Sequence, residues 1–262
     1  MSVELILASI LAFIIGGIVS LLGAGGSILI MPVLVYVLGI PAQNAAPYSL
    51  GIVGIIAAFA AIVGLKKTTI DLSSLLHFSL PAMTSVMLMR SVVVPMLPLQ
   101  YHILSLNFSL NVLSMVFFAV IMFIAAISML RKKNNESIHH SPSTFALSYL
   151  GFTTGIITGF IGIGGGFIIV PILLHFTNMH VKQAISTSLF IIALNSLPGF
   201  ALNLITMQSP NYTLLSLLSI AGILGSIIGI TIHHKADQHI LKKGFAYFIL
   251  LMSIFILIKE IQ

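Results

Sequence analysis

The chain has 262 residues, of which 58% are hydrophobic and 6% charged, and its formal net charge is +6. This composition lies far outside the soluble range and indicates an integral membrane protein, while the absence of cysteine excludes disulfides and thiolate metal sites. The basic residues stand in short clusters between apolar segments, a pattern that argues against nucleic-acid binding and fits loops facing anionic membrane lipid.

Turn residues and charges divide the chain into ten apolar segments. In chain order these cover residues 5–22, 27–38, 44–65, 72–97, 103–130, 144–161, 167–177, 184–205, 212–232 and 244–260. A spanning helix needs about 20 apolar residues, which segments 27–38 and 167–177 do not reach. Each of these two follows a glycine cluster. The sequence therefore predicts that each forms a helical hairpin with the segment before it, either crossing the bilayer fully or re-entering it.

Residues 16–51 recur at 155–190 without a gap. A shift of 139 gives 11 identities in 36 positions, and five of them are glycine or proline. Because these residue types set backbone shape, the same course of the chain is predicted twice. If each hairpin returns to the side it left, the loops that contain Lys66, Arg131, Lys182 and Lys235 fall on one side of the membrane. The positive-inside rule makes that side cytoplasmic, and the two halves are then inverted relative to each other.

The predicted fold is therefore an all-α integral membrane protein with two inverted repeats. Each repeat contains a glycine-tipped helical hairpin followed by three transmembrane helices. Residues 1–130 form the first repeat, residues 131–143 a basic cytoplasmic linker and residues 144–262 the second repeat. At a shift of 140, Ala82 and Ser85 align with Gly222 and Gly225, and small residues at this spacing favour close helix packing.

The two glycine clusters, called here the first tip (residues 23–27) and the second tip (residues 162–166), are the main candidates for a binding site. A helix restarts after each tip. Its first amides lack intrahelical partners, carry a partial positive charge and suit an anion. The alternative is that the glycines only permit a tight hairpin. Two copies facing each other across a pseudo-twofold axis favour a substrate site between the tips.

The tips resemble those of the TauE/SafE family of sulfite and organosulfonate exporters. In each, a proline follows six residues after the last aligned glycine, as Pro32 follows Gly26. The resemblance extends over nearly the whole chain through its length, its duplicated halves and its short basic central loop. It implies a bacterial inner-membrane permease for small sulfur-containing or carboxylate anions. Ser27 departs from the usual third glycine and could cap the restarting helix or bind an oxyanion.

Several polar residues inside the apolar segments are further candidates. Arg90 aligns with Ile230 and could either bind an anion or extend its side chain to the membrane surface. Ser49 and Ser188 are equivalent under the shift of 139 and serve equally well as anion ligands or as interhelical bonds. Asn195 could face substrate or satisfy a carbonyl freed by Pro198. The complete set of candidate substrate-binding residues is Gly23, Gly25, Gly26, Ser27, Ser49, Arg90, Gly162, Gly164, Gly165, Gly166, Ser188 and Asn195.

The sequence thus predicts a transporter that exports small anions such as sulfite, organosulfonates or related carboxylates by alternating access. Export is favoured because each negative charge leaving the cell gains about 2.3 kcal/mol per 100 mV. No cofactor, metal or catalytic residue is expected, and a homo-oligomer is compatible with the sequence. Uptake of a related anion or other small solute is the alternative. A membrane-embedded enzyme is a third hypothesis, weakened because no Asp or Glu lies inside an apolar segment.

Overall fold

A computed structural model describes the whole chain except residues 1–2, 24–26, 65–69, 99, 104–105, 131–142, 163–164, 178, 180, 208, 233–237 and 262. The described part is almost entirely helical. Its helices are α1 (Val3–Leu22), α2 (Ser27–Pro32), α3 (Ala42–Gly64), α4 (Leu72–Leu88), α5 (Val94–Met96), α6 (Leu110–Leu130), α7 (Thr144–Ile161), α8 (Gly166–Phe176), α9 (Val181–Thr206), α10 (Tyr212–Ile232) and α11 (Gln238–Ile261). A π-helical turn, Val33–Val37, follows α2, and another, Met89–Val93, joins α4 to α5.

Seven spans within the described residues are long and apolar enough to cross a membrane, so the chain is a multi-pass membrane protein. The all-α class predicted from sequence is confirmed, and each predicted segment except one coincides with helical structure to within a few residues. The linker predicted at 131–143 falls outside the described residues except for Ser143.

The segment predicted as 103–130 is wrong at its start, because α6 begins only at Leu110. The preceding residues form a short antiparallel hairpin of β1 (Gln100–Ile103) and β2 (Leu106–Ser109). Polar and apolar residues alternate along both strands, and the register pairs Tyr101 with Phe108 and His102 with Asn107. This period of two suits a strand with one apolar face, which overall hydropathy does not distinguish from a helix.

The helices pack in pairs that are repeated between the halves. Helix α1 packs on α10 and α4 packs on α7, and the shift between the repeats converts the first pair into the second. In both pairs the backbones come close together at small residues, since a Cβ on Gly16 would overlap the carbonyl of Gly222 and a Cβ on Gly155 would overlap that of Ala82. The predicted role of the small residues in helix packing is confirmed.

Helices α3 and α9 form the central pair, and they run antiparallel. Gly51 lies against Phe200, Gly54 against Leu197 and Gly64 against Ser186. Both helices are largely buried along the contact. Because α3 and α9 are equivalent under the repeat, their opposite directions are what an inverted duplication requires.

Replacing Gly155 by Leu should destabilise the protein. The new side chain has to displace the Ala82 backbone, which costs about 3 kcal/mol and lowers the thermal midpoint by roughly 5–10 °C. The matched control is Gly244→Leu, because a Cβ at Gly244 meets nothing within 4 Å. The chain contains neither Trp nor Cys, so the measurement is size-exclusion chromatography of a fluorescent-protein fusion after heating. Equal midpoints for the two variants would contradict this account of the packing.

Candidate anion-binding site

The first tip closes α1 and packs on the start of α9. Gly23 has φ +75°, and its N–H donates to the carbonyl of Val19 at 2.8 Å. A Cβ at Gly23 would lie 2.6 Å from Cγ2 of Ile185. The hydroxyl of Ser188 donates to the Gly23 carbonyl at 2.8 Å. Two predicted site residues, Gly23 and Ser188, are therefore in direct contact.

The second tip makes the equivalent contact with the start of α3. Gly162 has φ +84°, and its N–H donates to the carbonyl of Thr158 at 2.8 Å. A Cβ at Gly162 would overlap both Ala46 and Nη2 of Arg90. Ala46 and Ile185 are equivalent under the shift of 139, so each tip packs on the same position of the other half. The guanidinium of Arg90 distinguishes the second tip, because the residue aligned with Arg90 in the other half is the uncharged Ile230.

The described tip residues Gly23 and Gly162 lie far apart, which does not agree with the expectation of one substrate site between them. Each tip contacts the first turns of one helix of an antiparallel pair, and those first turns lie at opposite ends of the pair. Ile185 is level with the end of α3, where Gly64 meets Ser186, whereas Ala46 is near the beginning of α3. At 1.5 Å per residue the two contacts are about 28 Å apart along the helix axis.

Several predicted tip residues are only partly described. Gly25, Gly26 and Gly164 lie outside the described residues, and Ser27 is the first residue of α2 with no side-chain description. Gly165 has φ +70° and caps α8, whose first residue is Gly166. The Gly165 carbonyl accepts from the N–H of Ile168 at 3.0 Å. The amides of Ile168 and Ile169 are thus paired with the N-cap carbonyl, so only the amides ahead of Ile168 can lack intrahelical partners at this helix start.

Arg90 is a buried cation, and two of its guanidinium nitrogen atoms have no partner among the described residues. It lies in the π-helical turn Met89–Val93 and is only 6% exposed. Its Nε and Nη2 atoms have no hydrogen-bond partner, and it forms no ion pair with a carboxylate among the described residues. An uncompensated buried charge of this kind costs about 3–5 kcal/mol. A side chain extended to the membrane surface would be exposed, so the alternative of snorkelling does not fit.

A stripe of two buried polar residues on α9, Ser188 and Asn195, runs from the contact with Gly23 toward the region of Arg90. Ser188 and Asn195 are two turns apart on one face of α9 and are both buried, and Oδ1 of Asn195 has no partner. One turn further along that face, a Cβ on Gly199 would lie 3.0 Å from Cγ1 of Val86. Arg90 follows Val86 by four residues, across the junction of α4 with the π-helical turn Met89–Val93. The stripe therefore runs along the central pair from one tip toward the other.

Other buried polar groups lie along the same central pair. The hydroxyl of Ser49 is fully buried near the second tip and has no partner, unlike that of its equivalent Ser188. The hydroxyls of Thr187 and Ser196 on α9 are also buried and unpaired. Sequence reasoning missed Ser196 because it neither recurs in the repeat nor carries charge. Unpaired groups at this depth are available to a polar solute.

A narrow, partly open pocket of about 10 Å³, room for about one water molecule, lies next to Arg90. Its lining residues are Ala42, Gln43, Ala46, Arg90, Val94, Leu110, Ser114, Phe160 and Ile161. The N–H of Gln43 donates to Oδ1 of Asn111 at 3.2 Å, which joins the starts of α3 and α6 beside the pocket. Gln43 and Ser114 were also missed, although the shift of 139 pairs Ser114 with Ser253. The lining is mostly apolar, and Arg90 is the one charged side chain among the lining residues.

Comparisons with known proteins agree on the class of this molecule. The model of the family described as "Sulfite exporter TauE/SafE" matches residues 8–256. A "Probable membrane transporter protein" of Xylella fastidiosa is 27% identical over 252 residues, which cover 93% of this chain and 91% of the relative. A protein with a similar description from Methanocaldococcus jannaschii is 24% identical over 266 residues, 95% of this chain and 94% of the relative.

Replacing Gly162 by Ala should disturb the second tip more than backbone strain alone would. Gly39 is the matched control, because it has φ +65° but a Cβ there meets nothing within 4 Å. Both variants bear the left-handed strain of about 1 kcal/mol. Gly162→Ala additionally has to displace Ala46 and Arg90, so its thermal midpoint should be several degrees lower than that of Gly39→Ala. Equal midpoints would show that the tip is less tightly packed than described.

Proposed function

The chain belongs to the sulfite exporter TauE/SafE family and is a membrane transporter rather than an enzyme, and we propose that it exports a small anion across the bacterial inner membrane. The proposed substrates are sulfite, organosulfonates or related carboxylates. In this proposal the anion is bound by buried polar side chains of the central pair, α3 and α9, and by Arg90 in the π-helical turn Met89–Val93.

The single observation that carries the proposal is the unpaired guanidinium of Arg90. Its Nε and Nη2 atoms are buried and lack partners, and the small residues Gly162 and Ala46 lie against it. A fixed cation in a low-dielectric setting attracts an anion far more strongly than it would in water. A planar guanidinium also offers paired donors that match the oxygen atoms of a sulfonate, sulfite or carboxylate.

The proposed path follows the central pair. It begins at the first tip, continues past Ser188 and Asn195 and reaches Arg90 at the second tip. Loop charge supports a cytoplasmic position for the first tip, because Lys182 stands one turn before its contact residue Ile185, whereas residues 39–43 and 98–102 contain no Lys or Arg. An anion would then leave through the pocket at Arg90, on the outer side.

Alternating access by two inverted repeats is the proposed mechanism. The antiparallel course of α3 and α9, together with the paired contacts of Gly23 with Ile185 and of Gly162 with Ala46, supports this symmetry. Movement of one half against the other would open the polar stripe at one tip and close it at the other. The membrane potential favours the outward direction for an anion, by about 2.3 kcal/mol per charge per 100 mV.

Replacing Arg90 by Gln should reduce anion efflux by about tenfold or more, equivalent to at least 1.4 kcal/mol. Arg90→Lys should retain part of the flux, because it keeps the charge but loses the paired donors. The measurement is efflux of radiolabelled sulfite and of ethanesulfonate from proteoliposomes with an imposed potential. Lys259→Gln is the matched control. Lys259 is a basic residue in the last turn of α11, away from the proposed path, and its Nζ atom lies over the ring of Tyr36.

Unchanged efflux from Arg90→Gln vesicles would overturn the proposed role of this cation. The same vesicles also test the direction of anion transport. Flux that rises when the potential drives anions out of the interior, and falls when the potential is reversed, agrees with potential-driven export. Concentrative uptake against the potential would instead establish the alternative, an uptake permease.

Replacing Asn195 by Ala should also lower efflux, by roughly threefold to tenfold, because Asn195 lies on the proposed path. Ser219→Ala is the matched control, since Ser219 on α10 is likewise buried and unpaired but lies off the stripe. Removing an unsatisfied buried polar group is close to neutral for stability, so both proteins should have nearly wild-type thermal midpoints. If the two substitutions changed efflux equally, the polar stripe would not be part of the anion's path.

A further inference from the structure

We infer that helix α6 is the gate of the pocket at Arg90, and that the side chain of Asn111 latches this gate shut by capping the start of α3. The inference rests on the proposed function, because it specifies how the path past Arg90 opens to the outer side. It adds Asn111 as a positioning residue, which controls the opening without touching the anion.

The size of the pocket requires that one of its walls move. Its volume of about 10 Å³ accommodates about one water molecule, and Arg90 beside it is only 6% exposed. A sulfite, sulfonate or carboxylate group is larger than a water molecule, so the structure describes a closed state. Passage of such an anion therefore depends on the displacement of a helix that lines the pocket.

The walls formed by α7, by the π-helical turn and by α3 are fixed by tight packing. Helix α7, which contributes Phe160 and Ile161 to the lining, packs on α4 so closely that a Cβ on Gly151 would overlap the Phe78 carbonyl. The turn that contains Arg90 directly continues α4 and is held with it. Helix α3 is buried along its contact with α9. Elements packed to this density resist displacement.

Helix α6, which contributes Leu110 and Ser114 to the lining, is the wall that can move. It packs mainly on α11 and only marginally on the other helices. Helix α6 contains no glycine, and a Cβ on Gly244 of α11 would meet nothing within 4 Å, so their interface consists of side chains. The contact of α6 with α7, in which the ring centroids of Phe117 and Phe160 are 5.4 Å apart, is also apolar. Interfaces of this kind allow helices to slide past each other.

A directional hydrogen bond holds the start of α6 to the fixed part of the molecule. Helix α3 begins at Ala42, and the amides of its first turn need partners from outside the helix. The Pro41 carbonyl accepts from two of them, whereas the N–H of Gln43 donates to Oδ1 of Asn111 at 3.2 Å. Asn111 is therefore an N-terminal cap that another helix supplies. Movement of α6 away from α3 breaks this bond, so the bond opposes opening.

Within the aligned positions, the second half has no equivalent of this latch. Under the shift of 139, Gln43 corresponds to Lys182 and Asn111 to Leu250, whose side chain has no acceptor atom. Arg90 is likewise a departure from the duplication. The cap and the buried cation thus occur together at the same end of the central pair, as expected if the cap controls access to the cation.

The absence of cysteine allows opening to be measured directly. Ser114→Cys places a thiol on the pocket wall, and its rate of labelling by N-ethylmaleimide is measured on the full chain in lipid nanodiscs without substrate. Adding Asn111→Leu should accelerate labelling about fivefold, the change in an opening equilibrium expected when a capping bond is lost. Asn111→Asp keeps an acceptor at the same position, so labelling should stay within about twofold of the parent rate.

Asn211→Leu is the matched control. Oδ1 of Asn211 caps α10 by accepting from the N–H of Leu214 at 3.0 Å, so this variant also loses a capping asparagine but leaves the bond to α6 intact. It should not change the labelling of Ser114→Cys. Leu113→Cys is the control for the reporter, since Leu113 on α6 is 44% exposed and its labelling should be the same with and without Asn111→Leu.

Unchanged labelling in Asn111→Leu, or an equal increase in Asn111→Asp or Asn211→Leu, would refute the latch. If Ser114→Cys does not fold, Ala42→Cys on the α3 wall of the pocket replaces it with the same expected outcomes. Labelling needs neither substrate nor transport, so a negative result refutes the gate and leaves the efflux test of Arg90→Gln unaffected. Faster labelling in Asn111→Leu, together with efflux that is insensitive to Arg90→Gln, would refute the proposed role of Arg90 and support the gate.

Discussion

The guanidinium of Arg90 is buried, and its Nε and Nη2 atoms have no hydrogen-bond partner among the described residues. Small residues make room for it, since Ala46 on α3 and Gly162 at the second tip lie against the group. The π-helical turn that contains Arg90 interrupts the regular bonding of the helix, and such turns are frequent at functional sites. Under the proposed function, a bound anion supplies the counter-charge of this cation.

The two halves share the packing of their tips, but they differ in the polar groups beside each tip. Each tip packs on the first turns of the opposite half, through Gly23 on Ile185 and Gly162 on Ala46. The hydroxyl of Ser188 is bonded to the first tip, whereas that of Ser49 remains unpaired beside the second. Two similar halves thus present different chemistry at their two ends.

Much of the fold could be predicted from the sequence, because hydropathy and the glycine clusters determine where membrane helices begin and end. The hairpin at 100–109 was missed, since its alternating pattern is shorter than the apolar run in which it is embedded. The site was predictable only in part. The repeat shows that Gly23 and Gly162 are equivalent, but equivalence gives no distance, and the antiparallel α3–α9 pair separates the tips. The burial of Arg90 depends on contacts among several helices and could not be read from any single segment.

An experimental structure with bound selenite, an oxyanion whose selenium atom is located by anomalous scattering, would test the central claim most directly. The account predicts an anomalous peak within about 4 Å of the Arg90 guanidinium, the distance at which opposite charges pair, between Ala46 and Gly162, and no peak there in Arg90→Gln crystals. A carboxylate of the protein paired with Arg90, or selenite bound elsewhere with this pocket empty, would contradict it.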